Sequence, residues 1–177
     1  ADIDAIVDLV KRIKSVFLEE SKKEKKIGTI TLSINPFIPK PATPFQWSAM
    51  NTTEQLEKKA GILRSGLKKI PNLKLNFESF RKAKIHALLS LGDQKMAEVI
   101  EAALNQNWTA AVKQHSDYCA SRIYREKPLD ETLPWDFIDN NIKKAFLAEE
   151  YTKARHAKKS AACPMIDCSR CNVCMNT

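Results

Sequence analysis

The first eighty residues alternate between two hydrophobic periods. Apolar residues recur at helical spacing over 3–17 and again over 56–70, so each stretch predicts an amphipathic helix. Every second residue is apolar in 29–35 and in 73–77, which is the pattern of a half-buried strand. The order helix, strand, helix, strand predicts parallel strands joined through a helix. The segment is therefore interpreted as a piece of an α/β sheet or barrel.

After residue 80 only the helical period remains. The apolar stripes predict helices near 85–89, 96–104, 108–119 and 141–156. A loop with Pro134 and Trp135 separates the last two helices. The chain is therefore divided into a mixed segment at 1–80, a helical segment at 81–156 and a cysteine-rich tail at 157–177.

The segment between the first strand and the second helix is rich in proline. Pro36, Pro39, Pro41 and Pro44 fall within nine residues, and proline lacks the N–H that helices and sheet ladders need. An extended, stiff loop is predicted. Its aromatic residues, which include Trp47, suggest that the loop does more than connect two elements.

Four cysteines stand close together in the tail. Cys163, Cys168, Cys171 and Cys174 have the spacing C-x4-C-x2-C-x2-C. A cluster this tight in a chain with no secretion signal is typical of metal ligation rather than of disulfides. Structural zinc and an iron–sulfur cluster are both compatible with thiolate ligands. A redox-active or disordered tail is the third alternative.

The net charge of +8 is unevenly distributed. Residues 57–84 carry nine Lys or Arg against two Glu, a net charge of +7, whereas residues 98–150 have a net charge of −4. A basic stretch of this kind can bind phosphate or RNA, but the interpretation that we favour here is a solvated helix face and loop. No apolar run is long enough for a membrane span. No secretion signal precedes the first helical pattern, so we expect a cytoplasmic protein without a membrane partner.

Three separated stretches resemble one family. They are INPFIPKPATPFQW at 34–47, LDETLPWDFID at 129–139 and CSRCNVC at 168–174. Together they resemble the radical SAM enzymes that carry an upstream cobalamin-binding-like domain. The resemblance implies a fold class: the C-terminal part of a radical SAM-type (β/α) barrel at 1–80, then an all-helical extension and a metal-binding tail.

The resemblance also implies a site. Active sites of such barrels lie at the carboxyl ends of the strands, which places Asn35, Lys40 and Trp47 on the substrate and SAM side. The catalytic residues stay unassigned. The parent enzyme would use SAM, and cobalamin is a further open cofactor. The tail cysteines Cys163, Cys168, Cys171 and Cys174 would hold a 4Fe–4S cluster or zinc.

The family's defining C-x3-C-x2-C motif is not in this sequence. By resemblance it would lie upstream, so we expect this chain to be a fragment that needs the N-terminal part of the same enzyme as its partner. Alone it should be inactive. The competing hypothesis is a zinc-binding module in which the basic segment 57–84 binds RNA, for example a tRNA.

Overall fold

A small parallel sheet and a series of helices make up this computed structural model, which describes residues 2–164 and 168–173. The elements, in chain order, are α1 (Asp2–Lys23), β1 (Ile30–Ile34), a 3₁₀ helix (Pro44–Trp47), α2 (Thr53–Leu67), β2 (Leu73–Phe77), α3 (Phe80–Leu91), α4 (Met96–Asn105), α5 (Trp108–Gln114), α6 (Ser116–Ile123) and α7 (Lys144–Arg155). The mixed α/β class expected from the sequence is confirmed. The described residues contain a two-stranded sheet and no closed barrel.

The two strands pair in parallel, as their hydrophobic period and the intervening helix predict. Ile30 lies opposite Leu73 and Ile34 lies opposite Phe77. An antiparallel pairing would have contradicted the prediction, because strands joined through a full helix run in the same direction. The order helix, strand, helix, strand is therefore confirmed.

The chain divides into two compact units. The sheet unit comprises Ala1–Phe37 and Asn51–Ala83, and the helical unit comprises Ile38–Met50 and Lys84–Thr177. The proline-rich loop after Phe37 thus belongs to the helical unit although it follows a strand. Its Met50 N–H donates a hydrogen bond of 2.7 Å to the Ile123 carbonyl at the end of α6.

The core of the sheet unit lies between α1, α2 and one face of the sheet. Val7 and Val10 of α1 pack with Leu63 and Leu67 of α2, and these four side chains are buried. Apolar strand residues cover this cluster: Leu32, Ile34, Leu73, Leu75 and Phe77. The opposite face of the sheet is polar and exposed, because the side-chain period of a strand is two.

The second helix begins with a capping box. The Thr52 hydroxyl accepts a hydrogen bond from the Gln55 N–H, and the Gln55 side chain accepts one from the Thr52 N–H at 2.9 Å. This capping box satisfies two N–H groups that the first turn cannot pair.

Two local predictions differ from the structure. The proline-rich loop contains a 3₁₀ turn that starts at Pro44, where a missing N–H costs nothing at a helix start. The predicted helix over 108–119 is divided at His115, whose φ of −107° and ψ of 35° interrupt the helical backbone.

Within the described part of the chain, no helix has both the length and the apolar content that crossing a membrane requires.

Candidate functional site

A buried glutamine joins two of the sequence stretches singled out above. Gln46 is only 2% exposed. Its Oε1 accepts a hydrogen bond of 2.7 Å from the Trp135 indole N–H and one of 3.1 Å from the Ala42 N–H. These contacts bring the proline-rich loop and the 129–139 loop together across 89 positions of sequence.

A cleft of about 350 Å³ opens where these two loops meet. Its walls are formed by Ala42, Gln46, residues 135–140 and three residues of 142–147. We call it the loop cleft. Phe137 and Ile138 stand at its rim and are 86% and 55% exposed, so the cleft presents apolar side chains to solvent.

One carboxylate in the loop cleft is already paired. Asp136 Oδ2 accepts hydrogen bonds from the Leu133 N–H at 2.8 Å and from Lys144 Nζ at 2.5 Å. Lys144 also donates to the Glu131 carbonyl at 2.9 Å. Asp136 therefore holds the loop on α7, and its charge is compensated rather than free to act as a base.

The substrate-side residues implied by the resemblance fall in both units. Asn35 follows β1 in the sheet unit and is exposed. Lys40 belongs to the helical unit, is exposed, and donates a hydrogen bond of 2.9 Å to the Ser90 hydroxyl. Trp47 is fully buried in the same unit, and its ring centroid lies 5.8 Å from that of Tyr151. Their role toward a substrate stays a prediction.

Three of the tail cysteines line one small cleft. Cys163, Cys168 and Cys171 border a space of about 80 Å³ together with Phe146 and Glu150 of α7. We call it the cysteine cleft. Cys163 is exposed, whereas Cys168 and Cys171 are half-buried. The close spacing of cysteines in the sequence therefore does correspond to a shared location.

Backbone and charge contacts hold the tail on α7. Lys143 donates from its N–H to the Cys171 carbonyl at 3.1 Å and from Nζ to the Ser169 carbonyl at 2.8 Å. Arg170 forms an ion pair with Glu149 at 3.3 Å and lies 5.8 Å from the centre of the Phe146 ring. Residues 169–171, which include one of the cysteines of the cleft, are therefore held on α7 and on Lys143 just before it.

The described residues do not by themselves form a metal site. Among them, no group of three His, Cys, Asp or Glu side chains lies close enough to hold a metal ion. Cys174, the fourth predicted ligand, lies outside the described residues. A complete four-thiolate centre would need Cys174 and a closer approach of the three cysteines in the cleft.

Sequence reasoning missed a buried lysine in the helical unit. Lys127 is 2% exposed, and its Nζ donates a hydrogen bond of 3.1 Å to the Arg122 carbonyl. Burial, followed by the charges of Arg122 and Arg125, lowers its pKa to about 8. No local pattern marks this lysine, because only its tertiary surroundings remove it from water.

A second missed cluster closes the end of α3. The Tyr118 hydroxyl donates to Asp93 Oδ1 at 2.9 Å, and the Arg122 guanidinium donates to the Leu91 carbonyl at 3.1 and 3.2 Å. Burial raises the pKa of Tyr118 to about 12. Cys119 lies on α6 together with Tyr118 and Arg122. It is fully buried, and burial raises the pKa of its thiol.

Comparison with known proteins adds one relative. Among curated proteins, the chain is similar to a protein of Methanocaldococcus jannaschii described as uncharacterized, with 26% identity over 104 residues. The match covers 59% of this chain and 20% of the relative, so the chain spans about a fifth of the relative's length. No family model matches the chain. No solved structure matches it either.

Proposed function

We propose that this chain is the C-terminal part of a radical SAM enzyme. In this proposal, the sheet unit supplies the last strands of the barrel and the helical unit supplies the extension. The tail cysteines Cys163, Cys168, Cys171 and Cys174 hold an iron–sulfur cluster. The N-terminal part of the same enzyme supplies the cluster that binds SAM, because the motif for that cluster is not in this chain.

The main observation that supports the proposal is the parallel pairing of β1 and β2. Thr31 lies opposite Lys74 and Ser33 lies opposite Asn76, and all four side chains are exposed on one face. The other face packs on α1 and α2. In a (β/α) barrel, one face of each strand turns toward the surrounding helices and the other toward the barrel interior.

The position of the proline-rich loop supports the same proposal. The loop leaves β1 at the carboxyl end of the strand, which is the edge where barrel enzymes place their active sites. Asn35 and Lys40 are exposed along it. The exposure of each side chain in this chain is compatible with contact to a substrate or to SAM.

The cysteine cleft supports the proposed tail cluster. Thiolates are the usual ligands of iron–sulfur clusters. The side chains of Cys163, Cys168 and Cys171 share one cleft on α7. A 4Fe–4S cluster takes four thiolates, so Cys174 completes the proposed set. Cobalamin stays an open cofactor of the proposal, so the parent is tested with and without it.

The experiment for the proposed reaction uses the full-length parent. After anaerobic reconstitution with iron and sulfide, it receives SAM and dithionite as the electron donor. Reductive cleavage should yield methionine and 5′-deoxyadenosine, measured by chromatography. Residues 1–177 alone should yield neither. A fully iron-loaded parent that leaves SAM intact would contradict the proposal.

The charge distribution favours one alternative function. Residues 57–84 carry a net charge of +7, and the same four cysteines are compatible with structural zinc. In this second proposal the chain is a zinc-binding module for RNA, for example a tRNA. Stoichiometric zinc without acid-labile sulfide in anaerobically purified protein would favour it over the first.

A further inference from the structure

Two lysine-rich turns lie at one edge of the sheet unit. Lys25 and Lys26 stand five and four residues before Ile30, the first residue of β1. Lys68 and Lys69 stand at the same distances before Leu73, the first residue of β2. Because the strands are parallel, both turns reach the amino edge of the sheet.

A direct backbone contact fixes the two turns beside each other. The Ile30 N–H donates a hydrogen bond of 2.9 Å to the Asn72 carbonyl, and Ile30 lies opposite Leu73. Neighbouring strands are about 4.8 Å apart. The two turns therefore lie side by side, and we call the surface formed by their lysines the lysine edge: Lys25, Lys26, Lys68 and Lys69.

The lysine edge is exposed and its ammonium groups have no partner among the residues that the structure describes. All four side chains are exposed. In the described part of the chain, their ammonium groups take part in no hydrogen bond or ion pair. By contrast, six cations of the helical unit form ion pairs with carboxylates: Arg122, Arg125, Lys144, Lys153, Arg155 and Arg170.

We propose that the lysine edge binds the phosphodiester backbone of a nucleic acid. Unpaired ammonium groups on neighbouring rigid turns are suited to successive phosphates, because each contact releases counterions and needs no base recognition. A membrane surface is the weaker fit. Within these turns Ile27 is exposed, and a single isoleucine gives less apolar area than a membrane-surface helix presents.

The lysine edge also has a defined place in the sheet unit. Its lysines lie before the amino ends of β1 and β2, at the end of the sheet opposite to the carboxyl end of β1. A nucleic-acid strand bound there would lie at the amino end of the sheet, whereas barrel enzymes place their active sites at the carboxyl end. The inference deepens the RNA-binding alternative by naming its surface. Its failure would leave the metal content of the tail, and hence the first proposal, unaffected.

The test measures binding of a labelled 20-nucleotide RNA by fluorescence anisotropy from about 50 to 200 mM salt. The test variant carries Lys25→Gln, Lys26→Gln, Lys68→Gln and Lys69→Gln. We expect its affinity to fall by about tenfold or more and its slope of log K against log salt to shrink by about 3, at about 0.7 per lost contact. Far-UV circular dichroism checks that the variant is folded.

The matched control removes the same charge from the helical unit. Lys95→Gln, Lys113→Gln, Lys158→Gln and Lys159→Gln change four exposed lysines, and we expect less than about a twofold loss of affinity. Equal losses in both variants would overturn the proposal, because diffuse charge would then explain binding.

Three further binding measurements compare RNA with other anionic partners: DNA, a membrane surface and an acidic polypeptide. A DNA strand of the same sequence tells whether the sugar contributes, and binding of either nucleic acid supports the proposal. Binding to vesicles with anionic phosphatidylserine but not to RNA would overturn it in favour of a membrane surface. Displacement of the RNA by polyglutamate at equal charge would overturn it in favour of an acidic protein partner.

Discussion

Replacing Gln46 with leucine should destabilise the helical unit through lost hydrogen bonds rather than lost volume. Leucine is close to glutamine in size, but it offers no acceptor to the Trp135 and Ala42 N–H groups that now donate at 2.7 and 3.1 Å. Trp135 is only 9% exposed, so its unpaired indole N–H costs about 1–3 kcal/mol. Ala42 is half-buried, and water can replace part of its bond.

The expected loss is therefore about 2–4 kcal/mol in the free energy of unfolding. Urea denaturation followed by far-UV circular dichroism gives this value from the midpoint and slope. The matched control is Gln114→Leu, which removes the same acceptor atom from an exposed pair with Gln106. We expect this control to change stability by no more than about 0.5 kcal/mol.

A double-mutant cycle isolates the bond between the two loops. Trp135→Phe removes the donor, so the pair Gln46→Leu and Trp135→Phe should be less destabilising than the sum of the single changes. We expect a coupling energy of about 1–2 kcal/mol. A coupling energy near zero would refute the conclusion that this hydrogen bond holds the proline-rich loop to the 129–139 loop.

Three further changes test the packing by urea denaturation. Trp47→Ala should cost about 3–5 kcal/mol because the side chain is fully buried, and a loss below about 1 kcal/mol would contradict that burial. Gly66→Ala should be less favourable than Gly61→Ala by about 1–2 kcal/mol, because an added Cβ at position 66 would stand 3.0 Å from a Val7 methyl and the Val7 side chain must move. Gly61→Ala, with open space around it, should instead stabilise α2 by about 0.5–1 kcal/mol, and equal effects would refute this account. Burial lowers the pKa of Lys127 from 10.5 to about 8. Between these pH values the unfolded chain binds more protons than the folded chain, so the free energy of unfolding should rise with pH. The total rise should be about 3 kcal/mol relative to Lys127→Met. A pH profile that is parallel in both proteins would contradict this prediction.

The hydrophobic period was sufficient to predict the two strands and their parallel pairing. Strands of period two separated by a helix leave few arrangements, so the parallel direction follows from local pattern and connection rules, whereas the register of Ile30 with Leu73 required the structure. The cap at Thr52 was equally local, because a capping box is formed within four residues. The interruption of the helix at His115 could not be predicted in this way, because the helical spacing of apolar residues continues across it.

The loop cleft could not be predicted for a different reason. It depends on a hydrogen bond between Gln46 and Trp135, which lie 89 positions apart. A glutamine beside a tryptophan in a proline-rich loop gives no sign of which distant donor it will meet. The cysteine cleft could be anticipated, because its three described cysteines lie within nine positions, from Cys163 to Cys171. Its anchoring by Lys143 and Arg170 required the structure.

We propose that the tail cysteines together hold an iron–sulfur cluster, and analysis of bound metal and sulfide tests this proposal. Anaerobically purified protein of residues 1–177, which lacks the proposed SAM-binding cluster, should contain about four iron and four acid-labile sulfide per chain. Cys171→Ser should lose most of both, whereas the control Cys119→Ala, which changes a buried cysteine outside the tail, should keep them. Iron and sulfide that stay at the wild-type level in Cys171→Ser, or one zinc per chain without sulfide, would contradict the claim.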